Sequence, residues 1–500
     1  MRWIFALILF LAAGTALAED PKPPVFIPDD CPSGMVLPAG IAAECGAVSV
    51  REDRSRPNGP RILLRVATLW RTDRELRPDP LLFIQGGPGG PAGLDAAGLS
   101  NWANAVRISD WLGARRLVVF DQRGVGESRL LPTGCGALDQ YTRQRILDHT
   151  QPLQEIWEAA VRKGAKNCWA KFRRAGHDPG LITTAASAAD VSDLRRALGH
   201  ATWNLWGMSY GSRIAMIVMR DHPQGVRSVI LEGVVPPETN VYDDAAKNGE
   251  AFDALVRACR ASTACNENYP DLERRFLALA ERLDAEPLIV PVSAGSEARI
   301  DGWMFRDFTI QMLRSPADAM FVPFLVDELE SKQTRVITAG KRQEMQRYET
   351  MGTVVEQSVY ASISCADLVP SDPGWLEKAR ARDPRFAPQM QDATTDGDCP
   401  IWPVPRSPAS DAAPVTSDIP ALLISGAFDP QTPPSWAGAA AKRLANSYSY
   451  VFPAHGHGVL YYGESCASRI AGGFLDDPSQ RPDDSCLAKV PQLIFAPPPP

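Results

Sequence analysis

The 500-residue chain is expected to fold as an α/β protein: a mostly parallel, doubly wound sheet with a helical cap inserted after the sixth strand. Three observations carry this. Short β-rich runs alternate with helical stretches, as βαβ units require. The central runs, such as "LLFIQ" (81–85) and "RLVVFD" (116–121), are continuously apolar, as strands covered on both faces are. Between 239 and 406 the text turns helical and irregular, and strand-like runs return only afterwards.

The elements follow in order. Strands are expected at 47–50, 61–70, 81–85 and 116–121. "SAADVSDLRRALG" (187–199) has helical spacing, an N-cap in Ser187 and a stop at Gly199. "TWNLWG" (202–207) is a strand, "SRIAMIVMRDHP" (212–223) a helix ended by Pro223, and "VRSVILEGV" (226–234) the next strand. Parallel strands resume in "PALLISGAFDP" (420–430) and "YSYVFPAHGHG" (448–458). The core then comprises 19–238 and 407–490, the cap 239–406, and 491–500 a Pro-rich tail whose "APPPP" reads as disordered. Ligands of such sheets bind at the carboxyl ends of the strands.

The first residues read as an export signal. Arg2 precedes an apolar run from Ile4 to Ala13, and Ala16-Leu17-Ala18 is a small-residue cleavage signature. The signal is assigned to 1–18, leaving a periplasmic or extracellular protein without a stable membrane span. Ten cysteines suit an oxidising compartment, and sequential pairing closes the shortest loops. They lack zinc-site spacing, so no metal is expected. With 52 basic and 59 acidic residues the net charge is −7, and no basic stripe suggests nucleic acid as a partner.

Gly207-Met208-Ser209-Tyr210-Gly211 reads G-x-S-x-G at a strand-to-helix junction. A sharp turn there exposes the serine over the sheet edge, and a Cβ at either glycine would strike a neighbouring element. A serine hydroxyl needs a base, and the base an orienting acid. With this motif the chain order is Ser, acid, His. Asp429 ends the strand "ALLISGAF", and His457 follows the next strand. His455 and His457 share "HGHG"; His457, with glycine on both sides, is favoured. An H-x-H metal pair lacks acidic partners nearby. His149, His177, His200 and His222 are read as surface or packing residues. An oxyanion would be held by the N–H of Gly86 or Gly87 in "IQGGPGG" together with that of Tyr210. The loop is not a phosphate cradle, for it lacks G-K-[ST] and G-x-G-x-x-G.

"GGPGG", "DQRGVGES" (121–128), "GMSYGS", "FDPQTP" (428–433) and "GHG" together resemble the α/β-hydrolase fold. More narrowly they resemble peptidase family S33, the prolyl iminopeptidases and secreted tripeptidyl aminopeptidases. "AFDALVRACRASTAC" (251–265), "CPIW" (399–402) and the Cys466–Cys486 segment resemble the secreted tripeptidyl branch. The resemblance implies Ser209 as nucleophile, Asp429 as acid and His457 as base, with Gly87 and Tyr210 at the oxyanion positions. It implies a cap that admits short peptides with a free N-terminus, and no cofactor. Asp121 and Arg123 match a motif position and are read as loop braces, with direct substrate contact as the alternative. Two departures stand out. Gln85 replaces a common His before Gly-Gly-Pro. Glu232 stands where relatives commonly have Asp; it could hold a substrate ammonium or brace a loop.

The fold does not fix the substrate, so an esterase or lipase is the competing enzyme, and a non-catalytic binding protein the competing class. Intact-mass analysis of the exported protein should give a mature chain starting near Glu19 if the leader is read correctly.

Overall fold

The apolar runs form the centre of a nine-stranded sheet. The computed structural model describes residues 23–131, 147, 151–293, 295–351, 356–390, 399–400 and 402–498. The sheet strands are β1 (Val25–Asp29), β2 (Ile41–Arg51), β3 (Arg61–Arg71), β4 (Leu81–Ile84), β5 (Leu117–Phe120), β6 (Trp203–Met208) and β7 (Val226–Glu232). A separate antiparallel pair follows, β8 (Leu288–Ser293) and β9 (Ser296–Ile300), and then β10 (Ala421–Gly426) and β11 (Ser447–Phe452) return to the main sheet. The order is β1-β2-β3-β5-β4-β6-β7-β10-β11. β3 runs antiparallel to β2 and β5, while β5 through β11 in that order are parallel neighbours.

Side chains alternate between two cores. Leu82, Ile84, Val118, Phe120 and Leu205 pack with the helices Thr184–Ala197 and Tyr210–Asp221. Leu81, Phe83, Leu117, Val119 and Trp206 pack with Ala96–Ile108 and Ser465–Asp476. Both faces are thus covered, which is why β4, β5, β6 and β10 are buried along their whole length.

Some expectations needed revision. β1 was unforeseen: "VFIPD" is short and carries Pro28, which only an edge strand tolerates. It makes the insertion follow the seventh strand, not the sixth. β2 is longer than 47–50 because it pairs with β3 along its whole length. The helix expected at 187–199 is Thr184–Ala197, capped by Thr183, whose hydroxyl accepts from Ala186 N–H at 3.2 Å; Ser187 lies inside it.

The insertion between β7 and β10 is mainly helical and contains the β8–β9 hairpin. It has its own apolar core, where Phe276 packs 4.5 Å from Phe252, 4.8 Å from Phe305 and 6.2 Å from Phe386, ring centre to ring centre. The C-terminal segment reaches back to this core. Leu493 and Phe495 pack against it, Ala496 N–H donates to Met320 O at 3.1 Å, and Tyr269 Oη donates to Ala496 O at 2.9 Å. Ala496 is therefore docked where disorder was expected, and 499–500 lie outside the described residues.

Four disulfides follow the sequential pattern: Cys31–Cys45, Cys259–Cys265, Cys365–Cys399 and Cys466–Cys486. Cys168 is also disulfide-bonded, and Cys135 lies outside the described residues, as does the leader at 1–18. No helix among the described residues is long and apolar enough to cross a membrane. A chain ending at Val490 loses the Leu493, Phe495 and Ala496 contacts. It should be destabilised by about 2 kcal/mol, read as a lower urea midpoint; an unchanged midpoint would show that the segment contributes nothing.

Candidate active site

Ser209 sits between β6 and the helix Tyr210–Asp221 with φ 55° and ψ −126°. Such a backbone is strained for a side-chain-bearing residue and must be held by its surroundings. Two bonds hold it: Ser209 N–H donates to Glu232 O at 2.8 Å, and Ser212 N–H donates to Ser209 O at 2.8 Å. The flanking glycines are required by close approach. A Cβ on Gly207 would lie 2.5 Å from the Gly211 carbonyl oxygen, and one on Gly211 would run into the Ile84 carbonyl. The turn expected from the motif is present, for the steric reason expected.

Asp429 and His457 are joined. His457 Nδ1 lies 2.8 Å from Asp429 Oδ2, and both residues are buried. Asp429 Oδ1 also accepts the Gln431 and Thr432 N–H groups at 2.8 and 3.0 Å, and Oδ2 accepts the Thr432 hydroxyl at 2.6 Å. Burial alone would raise the Asp429 carboxyl, but His457 and these hydrogen bonds hold it below the usual carboxylate range. Thr432 Oγ1 lies 3.2 Å from His457 Nδ1 as well, so it steadies both partners. Sequence reasoning quoted "FDPQTP" without assigning Thr432; its signal was a hydroxyl three residues after an acid, a spacing that favours local turn bonds.

Ser209 and His457 share neighbours. Gly233, next to the residue that holds Ser209 N–H, would with a Cβ come 3.2 Å from His457 Cε1. Gly458 would likewise come 3.0 Å from Met208 Cε. His455 turns away, its Nδ1 2.8 Å from Pro453 O. Among the described residues no group of three His, Cys, Asp or Glu could hold a metal ion.

The loop after β4 approaches the serine. A Cβ on Gly86 would lie 2.8 Å from Ser209 Cβ. Gly86 N–H donates to Gln85 Oε1 at 2.8 Å, while the Gly87 and Tyr210 N–H groups donate to no protein acceptor among the described residues. Of the two glycines, Gly87 is therefore the available donor. The Gln85 main-chain O accepts Gln122 Nε2–H at 2.7 Å, a bond that braces the loop whatever side chain stands at 85.

Glu232 is fully buried. Its Oε1 accepts Leu460 N–H at 2.6 Å and Tyr461 N–H at 3.0 Å, and its Oε2 accepts Trp206 Nε1–H at 3.0 Å. Burial pushes this carboxyl above the usual range, against hydrogen bonds from Tyr461, Trp206 and Leu460. A group with both oxygens engaged inside the protein is a loop brace; the expectation that it receives a substrate ammonium is corrected accordingly. Asp121 and Arg123 are braces too. Asp121 accepts Ala92 N–H at 2.7 Å and Glu127 N–H at 2.8 Å, and burial raises it to about 6. Arg123 pairs with Asp190 through bonds of 2.7 and 2.8 Å.

Residues 79–276 match a family model described as the alpha/beta hydrolase fold. The same span holds the exchanged neighbours β5 and β4 and the serine elbow after β6. The chain has the α/β-hydrolase fold. Residues 384–486 of the chain match a second model, described as TAP-like protein. It is 30% identical to a tripeptidyl aminopeptidase of Streptomyces lividans over 52% of this chain and 49% of that protein, so the match spans about half that relative's length. It is 26% identical to serine protease Hip1 of Mycobacterium tuberculosis over 88% of this chain and 86% of that one. It is 25% identical to carboxylesterase B of the same species over 87% and 84%. A solved proline iminopeptidase of Mycobacterium smegmatis aligns with 87% of this chain and 98% of its own, at 17% identity and TM-score 0.38.

The insertion touches the site at three places that sequence reasoning did not name. Glu356 N–H donates to Gly89 O at 2.8 Å. Arg314 O accepts His457 N–H at 3.1 Å. Asp367 accepts Thr184 N–H and Thr184 Oγ1–H, both at 2.6 Å. Local sequence carries no signal for contacts between residues 143 to 267 positions apart.

Glu232→Ala would leave three buried donors unpaired. It should cost on the order of 3 kcal/mol in stability and lower hydrolytic kcat by loosening the His457 loop. Urea denaturation and ester hydrolysis check this; a variant of wild-type stability would show that the donors find other partners.

Proposed function

We propose that the protein is an exported serine peptidase that removes short peptides or single residues from free N-termini through an acyl-enzyme. One observation carries the chemistry: a strained, half-buried Ser209 shares the Glu232–Gly233 segment with a His457 that is hydrogen-bonded to a buried, ionised Asp429. The relatives named tripeptidyl aminopeptidase and serine protease support peptides as the substrate class. Four disulfides and the apolar leader support export.

Ser209 Oγ attacks the peptide carbonyl while His457 Nε2 takes its proton. Asp429 holds the Nδ1–H tautomer and offsets the charge that the ring gains. The N–H groups of Gly87 and Tyr210 receive the oxyanion. His457 then protonates the leaving amine. Water, deprotonated by the same imidazole, attacks the acyl-Ser209 ester and frees the acid. The cap closes the cleft behind a short segment and so rejects internal bonds.

Esterase activity is the second reading, favoured by the carboxylesterase relative that covers most of the chain. The test is one paired assay on mature protein and Ser209→Ala. Substrates are Pro, Ala, Ala-Ala and Ala-Ala-Pro amides, their N-blocked copies, and a p-nitrophenyl ester. We expect turnover of free-amine peptides, little of blocked ones, and a loss of about 10⁴-fold or more in the variant. Ester turnover without peptide turnover would replace the peptidase with an esterase.

A further inference from the structure

Tyr210 contributes more than a backbone N–H. Its side chain is buried, and its hydroxyl donates to Thr184 Oγ1 at 2.9 Å. Thr184 is buried too and opens the helix Thr184–Ala197. Its own hydroxyl donates onward to Asp367 Oδ2 at 2.6 Å, and its N–H meets the same oxygen at 2.6 Å. The other Asp367 oxygen accepts the Ser407 hydroxyl. Asp367 lies in the insertion, in a π-helical turn at Ser364–Leu368, next but one to the Cys365–Cys399 disulfide. A chain of oriented hydroxyls thus runs from a cap carboxylate to the residue immediately after Ser209.

We propose that Asp367 and Thr184 are positioning residues for the oxyanion hole: by anchoring the Tyr210 ring they aim its N–H, so cap docking and oxyanion stabilisation are one event. The inference rests on the acyl-transfer reading above and deepens it.

The physical reasons are three. The Tyr210 N–H opens the helix Tyr210–Asp221 directly after a backbone at φ 55°; its peptide plane is held on one side by Ser209 O, which accepts the Ser212 N–H at 2.8 Å and hydroxyl at 2.6 Å, and the ring anchor holds it from the side-chain end. Its ring spans from that N–H to the helix Thr184–Ala197, where its hydroxyl meets Thr184 Oγ1 at 2.9 Å. Each hydroxyl in the chain has its donor role fixed, because a carboxylate can only accept. Asp367 also stands at the amino end of the Thr184–Ala197 helix, where the aligned peptide dipoles favour a negative charge. The anchor is therefore unipolar and does not flip. An oxyanion donor acts only in the transition state, so a mis-aimed one should lower kcat and leave KM alone.

The test uses the mature protein with the Ala-Ala-Pro amide, a p-nitrophenyl ester, and Ala-Ala-boroAla as an inhibitor whose tetrahedral adduct carries the oxyanion. Tyr210→Phe keeps the backbone N–H and removes only the anchor. We expect kcat to fall about tenfold, KM to stay within about twofold, and the boronate Ki to rise in step with the loss of kcat. Thr184→Val should behave alike, and Thr184→Ser should restore activity. Asp367→Ala should lower kcat in the wild-type background and change nothing further in Tyr210→Phe, since both break one chain. A Tyr210→Phe enzyme with wild-type kcat and boronate affinity overturns the inference. So does an Asp367→Ala loss equal in both backgrounds, which would mean the cap acts by another route. Hydrolysis that survives Ser209→Ala overturns the acyl-transfer reading and this inference together; Ser209-dependent hydrolysis with an unaffected Tyr210→Phe overturns the inference alone.

Discussion

The carboxylate and the carbonyl of Glu232 hold the site from two directions. Its main-chain oxygen takes the Ser209 N–H and so pins the strained elbow. Its side chain takes the Leu460 and Tyr461 N–H groups and so pins the loop that follows His457. A carboxylate this deeply buried is unfavourable by itself, and its bonds to three N–H donors offset that. Nothing else among the described contacts links the serine turn and the histidine loop so directly. The serine turn and the loop after His457 thus share one residue, and Phe83, Trp102 and Trp206 pack as an aromatic cluster beside it.

Around that link the polar groups are oriented in advance. Asp429 spends both oxygens on Thr432, Gln431 and His457, so the ring it faces has one way to sit. Gln85 occupies the Gly86 N–H, while the Gly87 N–H has no protein acceptor among the described residues. Asp121 and the Arg123–Asp190 pair brace the neighbouring loop from below the sheet edge. These groups do not have to reorganise as charge develops, which is the main advantage a protein site has over water.

The insertion joins this framework instead of merely covering it. It meets the oxyanion loop at Gly89, the His457 backbone through Arg314, and the first residue of a core helix through Asp367. The docked C-terminal segment adds a further tie between the last part of the chain and the cap. An insertion held at so many points is fixed relative to the Ser209 turn and the His457 loop.

The sequence by itself determined the sheet centre, the serine elbow and the pairing of Asp429 with His457. Each is written in local text: continuous apolar runs, glycines two residues either side of a serine, and an acid and a histidine at successive strand ends. Covalent neighbours impose these, so no distant residue is needed to see them. The edge strand at Val25–Asp29 escaped because a short run with Pro28 has no periodic signature. The roles of Glu232, Thr432 and Asp367 were decided only by tertiary structure. A carboxylate reads the same in sequence whether it faces a substrate or a backbone N–H. Which it faces depends on burial and on partners far along the chain: 228 positions for Glu232 and Leu460, and 183 for Thr184 and Asp367.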